Sequence, residues 1–319
     1  LDLKTQAANG TASSLSYKAS LFWSRLIKGR YLYMMVTPGL LYFAIFKYLP
    51  MWGVMISFKD YLPYRGFWNS PWVGFKHFDR FFHDPVFWLL LKNTFVLAIY
   101  NIVFFFPIPI LIALMLNELR VEWFKRYIQT AVYIPHFVSW VVVVGMVYTF
   151  FSSEGGIFTN MLVNAGFGKI NFLMSKDWFR PMIILEVIWK ESGWGTIIFL
   201  AALSGVDPTL YEAAKMDGAG RMRQLWHITL PAIRSTIVIL FILRLGSFLD
   251  TGFEQVFLML NSTNREVGEV FDTYVYVNGV QQGQFSFSTA VGLFKSLVGL
   301  CLVLAANKAA KKIGEQGVY

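Results

Sequence analysis

Charge is what this sequence has least of. Only 15% of its 319 residues are Asp, Glu, Lys or Arg, while 56% are hydrophobic. Soluble domains carry about 25% charged and about 45–50% apolar residues. A chain this poor in charge cannot cover a solvated surface of its own size, which points to one that faces lipid. There is a single cysteine, Cys301, so an internal disulfide and a thiolate metal cluster are both excluded. The four histidines, His77, His83, His136 and His227, are scattered. No HExxH, GxxxxGK[ST] or GxSxG pattern occurs, which leaves zinc hydrolysis, nucleotide hydrolysis and serine-nucleophile chemistry without a basis. Asp79, His83 and Asp84 stand close together but lack ligand spacing. A membrane-embedded glycosyltransferase therefore has no visible metal or activated-sugar site. The expectation is a chain that is not an enzyme and that binds no metal or cofactor.

What is present is long apolar runs. Six reach the ~20 residues a spanning helix needs, at about 31–57, 88–116, 128–151, 179–203, 232–252 and 286–307. The reading is an all-α membrane protein with a polar tail over 1–30, a six-span domain over 31–307 and a second tail over 308–319. The first 30 residues lack an apolar core with a small-residue cleavage site and read as a cytosolic tail, not a signal peptide. The net charge of +9 sits in the flanks of the runs, which favours membrane orientation over a nucleic-acid partner. Fifteen Lys and Arg flank one side, that of both tails, and eight flank the other. The positive-inside rule places both termini in the cytosol, as an even number of spans requires.

Between the runs, Phe75, Phe78, Phe81 and Phe82 suit one face of a short helix, lying on the membrane surface or packed on the ends of the spans. Residues 253–285 read as a long polar loop with "NGVQQGQ". Pro107, Pro109 and Pro135 fall inside spans and predict kinks. Asn261-Ser262-Thr263 is a glycosylation sequon by chance.

The segment 207–231, "DPTLYEAAKMDGAGRMRQLWHITLP", is too short and polar to span. Asp207 suits an N-cap and Pro208 the first helical position. Gly218 allows a turn closed to most residues, and Pro231 ends a second run carrying Leu225, Trp226 and Leu230. The result is an amphipathic helical hairpin whose knobs fit a groove in a partner.

Glu212, Ala213, Ala214, Gly218, Ile228, Leu230 and Pro231 resemble the EAA motif of the permeases of bacterial ABC importers. "WVGFKHF" at 72–78, "KNTFVL" at 92–97 and the stretch 271–307 resemble the poly- and oligosaccharide branch of that family, most of all permeases of alginate-type importers. The resemblance implies the type I importer fold, a place in the bacterial inner membrane and a non-catalytic role. It also implies a second homologous permease, two ATP-binding subunits that hold ATP and Mg, and an extracytoplasmic solute-binding protein. Glu212, Ala213, Ala214, Asp217, Gly218 and Ala219 would then form the coupling element to the ATPase.

Charged residues inside spans are costly and either paired or functional. Here they are Lys47, Lys92, Glu186, Lys190, Glu191, Arg244, Asp250 and Lys295. Glu186 and Lys190, at i and i+4, are expected to neutralise each other, Lys92 to snorkel, and Arg244 either to pair with Glu191 or to line a path. The functional reading takes Lys190, Arg244, Asp250 and Lys295, with Trp189 and Trp194 as ring platforms and Tyr148 as a further candidate, to line a path for an acidic oligosaccharide such as alginate. A neutral oligosaccharide or a glycerophosphodiester is the alternative cargo. An autonomous channel would leave the 207–231 hairpin without a purpose.

Overall fold

The computed structural model describes residues 28–312 and 314. They belong to two units, divided after Met55. The first unit holds a helix, Arg30–Phe43, that passes through a π turn at Ala44–Tyr48 into tighter 3-10 turns over Leu49–Phe58, of which residues 49–55 belong to it. Pro38 lies inside it, and the hydroxyl of Thr37 bonds the carbonyl of Tyr33 at 2.6 Å. Lys47 lies in the π turn.

Three helices are long and apolar enough to cross a bilayer: Arg30–Phe58, Val86–Glu118 and Phe285–Lys312. Three further helix pairs pass the same test only when taken together, each bent at a short break: Glu122–Phe137 with Trp140–Phe151, Lys176–Ser204 with Pro208–Met216, and Arg221–Ala232 with Arg234–Gly246. In the last two the bend is where the span meets the 207–231 hairpin, so the spanning parts are Lys176–Ser204 and Arg234–Gly246. Irregularities within the spans have local causes. In the second span a π turn over Asn101–Phe105 precedes Pro107, whose missing donor then falls at the first position of the next helix. In the third, Pro135 sits in a 3-10 turn and Ser139 caps a fresh helix, so the chain turns by 102°. The single run expected over 128–151 is thus two helices, starting earlier at Glu122. The fifth span, expected over 232–252, is helical only over Arg234–Gly246 and ends in turns that reach Gly252 at φ +81°.

The fourth span organises the second unit. Lys176–Ser204 has 29 residues, roughly 43 Å at 1.5 Å per residue. Its side chains Phe179, Met182 and Ile183 join Leu97, Val144 and Val256 in one apolar cluster. Lower down, Phe199 and Leu203 meet Ala113 and Ile233. Glycines let backbones touch. A Cβ on Gly193 would lie 2.2 Å from the carbonyl oxygen of Val132. Where the fifth and sixth spans cross, a Cβ on Gly246 would lie 2.9 Å from Val303. Small residues at helix crossings are the usual means of close packing in membranes.

The segments between spans are folded. The helix Lys76–His83 packs on the ends of the spans: Phe81 is buried against Phe87, Phe271, Phe287 and Phe294, while Phe75 and Phe82 stay exposed. Beside it, the buried Lys59 ammonium lies between the rings of Phe67 and Trp72 at 4.8 and 5.0 Å. The neighbouring Asp60 carboxyl is held below its usual range by Lys76, then by His77. The expected loop 253–285 contains helices at Phe253–Met259, Arg265–Gly268 and Phe271–Tyr276 and a π turn that takes in most of "NGVQQGQ". Within it the Tyr274 hydroxyl is pushed up to about 12 by burial and by the Asp84 carboxylate. Asn261 has a structural role: its carboxamide oxygen accepts from the backbone of Thr263 and Asn264, and its nitrogen donates to Leu173.

Candidate functional site

The hairpin forms as its residues dictate. The Asp207 carboxylate accepts from the Thr209 N–H at 2.9 Å, which caps the helix Pro208–Met216 and holds the carboxyl below its usual range. At the other end Gly218 adopts φ +74°. Its N–H bonds the Lys215 carbonyl at 3.0 Å, and the Ala219 N–H reaches back to Ala214 at 2.8 Å. This pair of bonds is the Schellman closure, which needs the left-handed residue that glycine supplies. The chain then re-enters helix at Arg221–Gln224 and a π turn at Leu225–Thr229. Tyr211 and Thr229 share a hydroxyl bond of 3.0 Å across the hairpin, and the Gln224 amide donates to Ala219 at 2.7 Å. Leu210, Met216, Met222 and Trp226 stand exposed, Met216 at 89%. Glu212, Ala213, Asp217 and Gly218 are exposed beside them, with Ala214 and Ala219 half-buried. An internally closed hairpin that leaves its apolar knobs in the open is built to dock.

The intramembrane residues fall into three groups. The first surrounds a cleft of about 350 Å³ lined by Phe105, Pro109, Glu191, Trp194, Arg244 and Ser247, among others, within the ~300–1,000 Å³ of small-molecule sites. Arg244 donates to the Asn101 carboxamide at 2.8 Å and lies over the Phe105 ring at 5.2 Å. Glu191 does not serve as its counter-charge by direct bonding. That carboxylate is engaged by Lys190 at 3.1 Å and by His136 at 2.9 Å. Lys190 therefore does not pair with Glu186, as its i+4 spacing suggested. It bonds Glu191 and the His136 carbonyl instead. The Trp194 ring stacks on the His136 imidazole, centroids 4.9 Å apart and planes 13° apart.

The second group holds Lys295, which bridges Asp250 and Asp272. These three line a separate cleft of about 470 Å³ with Gly246, Gly292 and Gly299. Lys295 is not a free cation: two carboxylates from different segments neutralise it. Lys295→Met is thus expected to lower the melting temperature of the purified protein, because it leaves two acids facing each other. Adding Asp272→Asn should recover part of that loss. A thermal denaturation series on the two chains checks it.

The third group holds Glu186 and Trp189, on the rim of an apolar cavity of about 280 Å³ with Met146, Phe150, Phe151 and Met182. The Gln255 amide, donating at 2.7 Å, binds one oxygen of the buried Glu186. Tyr148 is 40% exposed. The structure thus does not bring the expected path residues to one place: Trp194, Arg244 and Lys190 gather, Asp250 pairs with Lys295 while also lining a narrow pocket with Arg244 and Asn101, and Trp189 lies elsewhere. Sequence reasoning missed His136, Asn101 and Asp272, none of which carried a motif. Among the described residues no group of three or more His, Cys, Asp or Glu is placed to hold a metal ion.

The model for the "Binding-protein-dependent transport system inner membrane component" family matches residues 105–314. The chain is 59% identical over 295 residues to the polygalacturonan/rhamnogalacturonan transport system permease protein YteP of Bacillus subtilis (strain 168), covering 92% of each. It is 54% identical to the protein LplB of the same organism, over 99% of this chain and 100% of that one. A chain in a crystal structure of a bacterial alginate ABC transporter, in complex with alginate pentasaccharide-bound periplasmic protein, matches with a TM-score of 0.86 at 40% identity. The match covers 93% of this chain and 99% of that one.

Proposed function

This chain belongs to the family of binding-protein-dependent transport system inner membrane components, and on that footing we propose that it carries an acidic oligosaccharide through the membrane. It is a permease of a sugar ABC importer. Within that role the observation that carries the acidic reading is Arg244. Its guanidinium sits inside a span, its bonded partner is a neutral amide, and it shares a cleft with the half-exposed Trp194. A guanidinium with donors to spare binds a carboxylate in a planar, two-point fashion, and an indole face suits a pyranose ring. The name of the 59% identical relative specifies polygalacturonan and rhamnogalacturonan, and the 40% identical structure is of an alginate transporter. Both are uronate polymers, and the nearer identity favours galacturonate-containing fragments over alginate.

The working unit is this chain, a second homologous permease, two ATP-binding subunits holding ATP and Mg, and an extracytoplasmic binding protein, set in a bacterial inner membrane with both termini cytosolic. Closure of the ATP-bound dimer moves the Glu212–Ala219 turn, the cleft opens outward to receive sugar, and hydrolysis restores the inward state. The pairing of Lys190 and Lys295 with acids supports a second reading, a neutral oligosaccharide. Arg244→Gln separates the two. In proteoliposomes with saturated binding protein, uptake of oligogalacturonate should fall roughly tenfold, the equivalent of about 1.4 kcal/mol, while carboxyl-reduced oligosaccharide is little affected. Equal loss for both cargoes contradicts the acidic reading.

A further inference from the structure

We propose that His136 is a positioning residue that fixes the Trp194 ring as the sugar-stacking wall of the Arg244 cleft. The inference rests on the reading of that cleft as the sugar path.

His136 comes from the 3-10 turn Ile134–Phe137, at the break of the third span. Trp194 comes from the middle of the fourth. His136 is held at three points. Its Nδ1 meets a Glu191 oxygen at 2.9 Å. Its main-chain carbonyl accepts from the Lys190 ammonium at 2.7 Å, and that ammonium returns to Glu191 at 3.1 Å. Its ring face lies parallel to the indole. The Lys190 side chain is only 8% exposed, so its bonds to His136 and Glu191 are anchored at a buried end where polar bonds are strong, while His136 and Glu191 are part-buried, each 28% exposed. Gly193 permits the arrangement, because only a glycine lets the fourth span come so close to Val132 and Tyr133, next to the turn that carries His136.

The indole held this way is not itself buried. Trp194 is 52% exposed and lines the cleft. One ring face is against imidazole and the remainder is open. Trp88 and Trp123 are exposed too, against the edges of Phe87 and Phe124; the cluster at His136 is different in kind. This one fixes the plane of a ring and leaves it accessible, which is what a stacking platform requires: the gain from stacking is lost if the ring must first be ordered. The network also keeps Lys190 and Glu191 mutually satisfied, which leaves Arg244 as the cation of the cleft. A uronate ring would place its apolar face on Trp194 and its carboxylate toward Arg244.

Two substitutions divide the roles of the imidazole. His136→Phe keeps an aromatic face against Trp194 and loses the bond to Glu191. His136→Gln keeps a donor for Glu191 and loses the face. The complete importer, reconstituted with saturated binding protein, is measured for oligogalacturonate moved per ATP hydrolysed. Trp194→Ala and His136→Gln should lower that ratio roughly five- to tenfold while ATP turnover changes far less, and His136→Phe should stay within about twofold of the wild type. If Trp194→Ala lowers the ratio and His136→Gln does not, the positioning role is overturned and the cleft reading stands. If His136→Phe and His136→Gln reduce ATP turnover and uptake in equal proportion, His136 is structural only. If Trp194→Ala transports as the wild type does, the cleft reading itself fails.

Discussion

Gly218→Leu is expected to lower ATP-driven uptake roughly five- to thirtyfold while leaving the six spans folded. Gly218 has φ +74° and no heavy atom within 4 Å of where a Cβ would stand, so nothing in the chain itself clashes with a side chain there. What fails is the backbone. A residue with a Cβ pays about 1–2 kcal/mol in the left-handed region, a factor of about 5–30 in the population of the closed turn. The two bonds that close it, Gly218 to Lys215 and Ala219 to Ala214, are then made less often, and Glu212 through Ala219 no longer present one fixed surface. Binding-protein-stimulated ATPase and uptake in the reconstituted complex should both fall by roughly that factor of five to thirty. Gly218→Asn discriminates the cause. Asparagine is larger than alanine yet enters the left-handed region more readily, so Asn should retain more activity than Ala. The reverse order would mean that crowding against a partner, not turn geometry, limits the hairpin.

The second large effect concerns assembly. Gly193→Ala should prevent the fourth span from seating against the third. The added Cβ would stand 2.2 Å from the Val132 carbonyl oxygen and 3.0 Å from the Tyr133 Cα, and backbone atoms cannot rotate away. Overpacking costs about 1–3 kcal/mol where side chains can yield, and here the spans themselves must part, so at least about 3 kcal/mol is expected. The same displacement pulls His136 from Trp194. Gly205→Ala is the control: its Cβ would meet only Ala202 oxygen at 3.5 Å, an ordinary contact, with φ −86°. Size-exclusion profiles after graded heating should show Gly193→Ala lost at temperatures where Gly205→Ala and the wild type persist.

Much of this was legible before any coordinate was known, for reasons particular to each element. Membrane character followed from the lack of charge, because lipid removes the need for a charged surface. The hairpin followed because Asp207, Pro208 and Gly218 act through their own backbone and carry the same meaning in any context. Pro107 and Pro109 signalled a disturbed second span for the same reason, although the π turn that absorbs it was not implied. The break in the third span was harder to read. Pro135 marked a kink, but the size of the turn depends on Ser139 capping a new helix, and a serine before a valine run is no rare event. The ion pairs were least legible. Hydrophobic periodicity says which face of a helix is buried and not which partner lies across it. Lys295 finds Asp272, 23 positions earlier, and Glu191 finds His136, 55 positions away. The i, i+4 rule applied to Glu186 and Lys190 failed because tertiary partners, Gln255 for one and Glu191 with His136 for the other, outcompeted a pairing worth only ~0.2–0.5 kcal/mol.

These pairings also changed the electrostatic picture. Of the three cations expected on the path, Lys190 and Lys295 are paired with acids, which leaves one guanidinium, Arg244, bonded to a neutral amide. On the proposed acidic reading, selectivity rests on Arg244 and the face of Trp194. The measurement that tests the account most directly is the amount of oligosaccharide moved per ATP hydrolysed by the assembled importer with saturated binding protein, comparing oligogalacturonate with the same oligosaccharide after carboxyl reduction. The account predicts a higher ratio for the acidic form than for the reduced form, and loss of the difference in Arg244→Gln. Equal ratios for the two forms in the wild-type complex would contradict it.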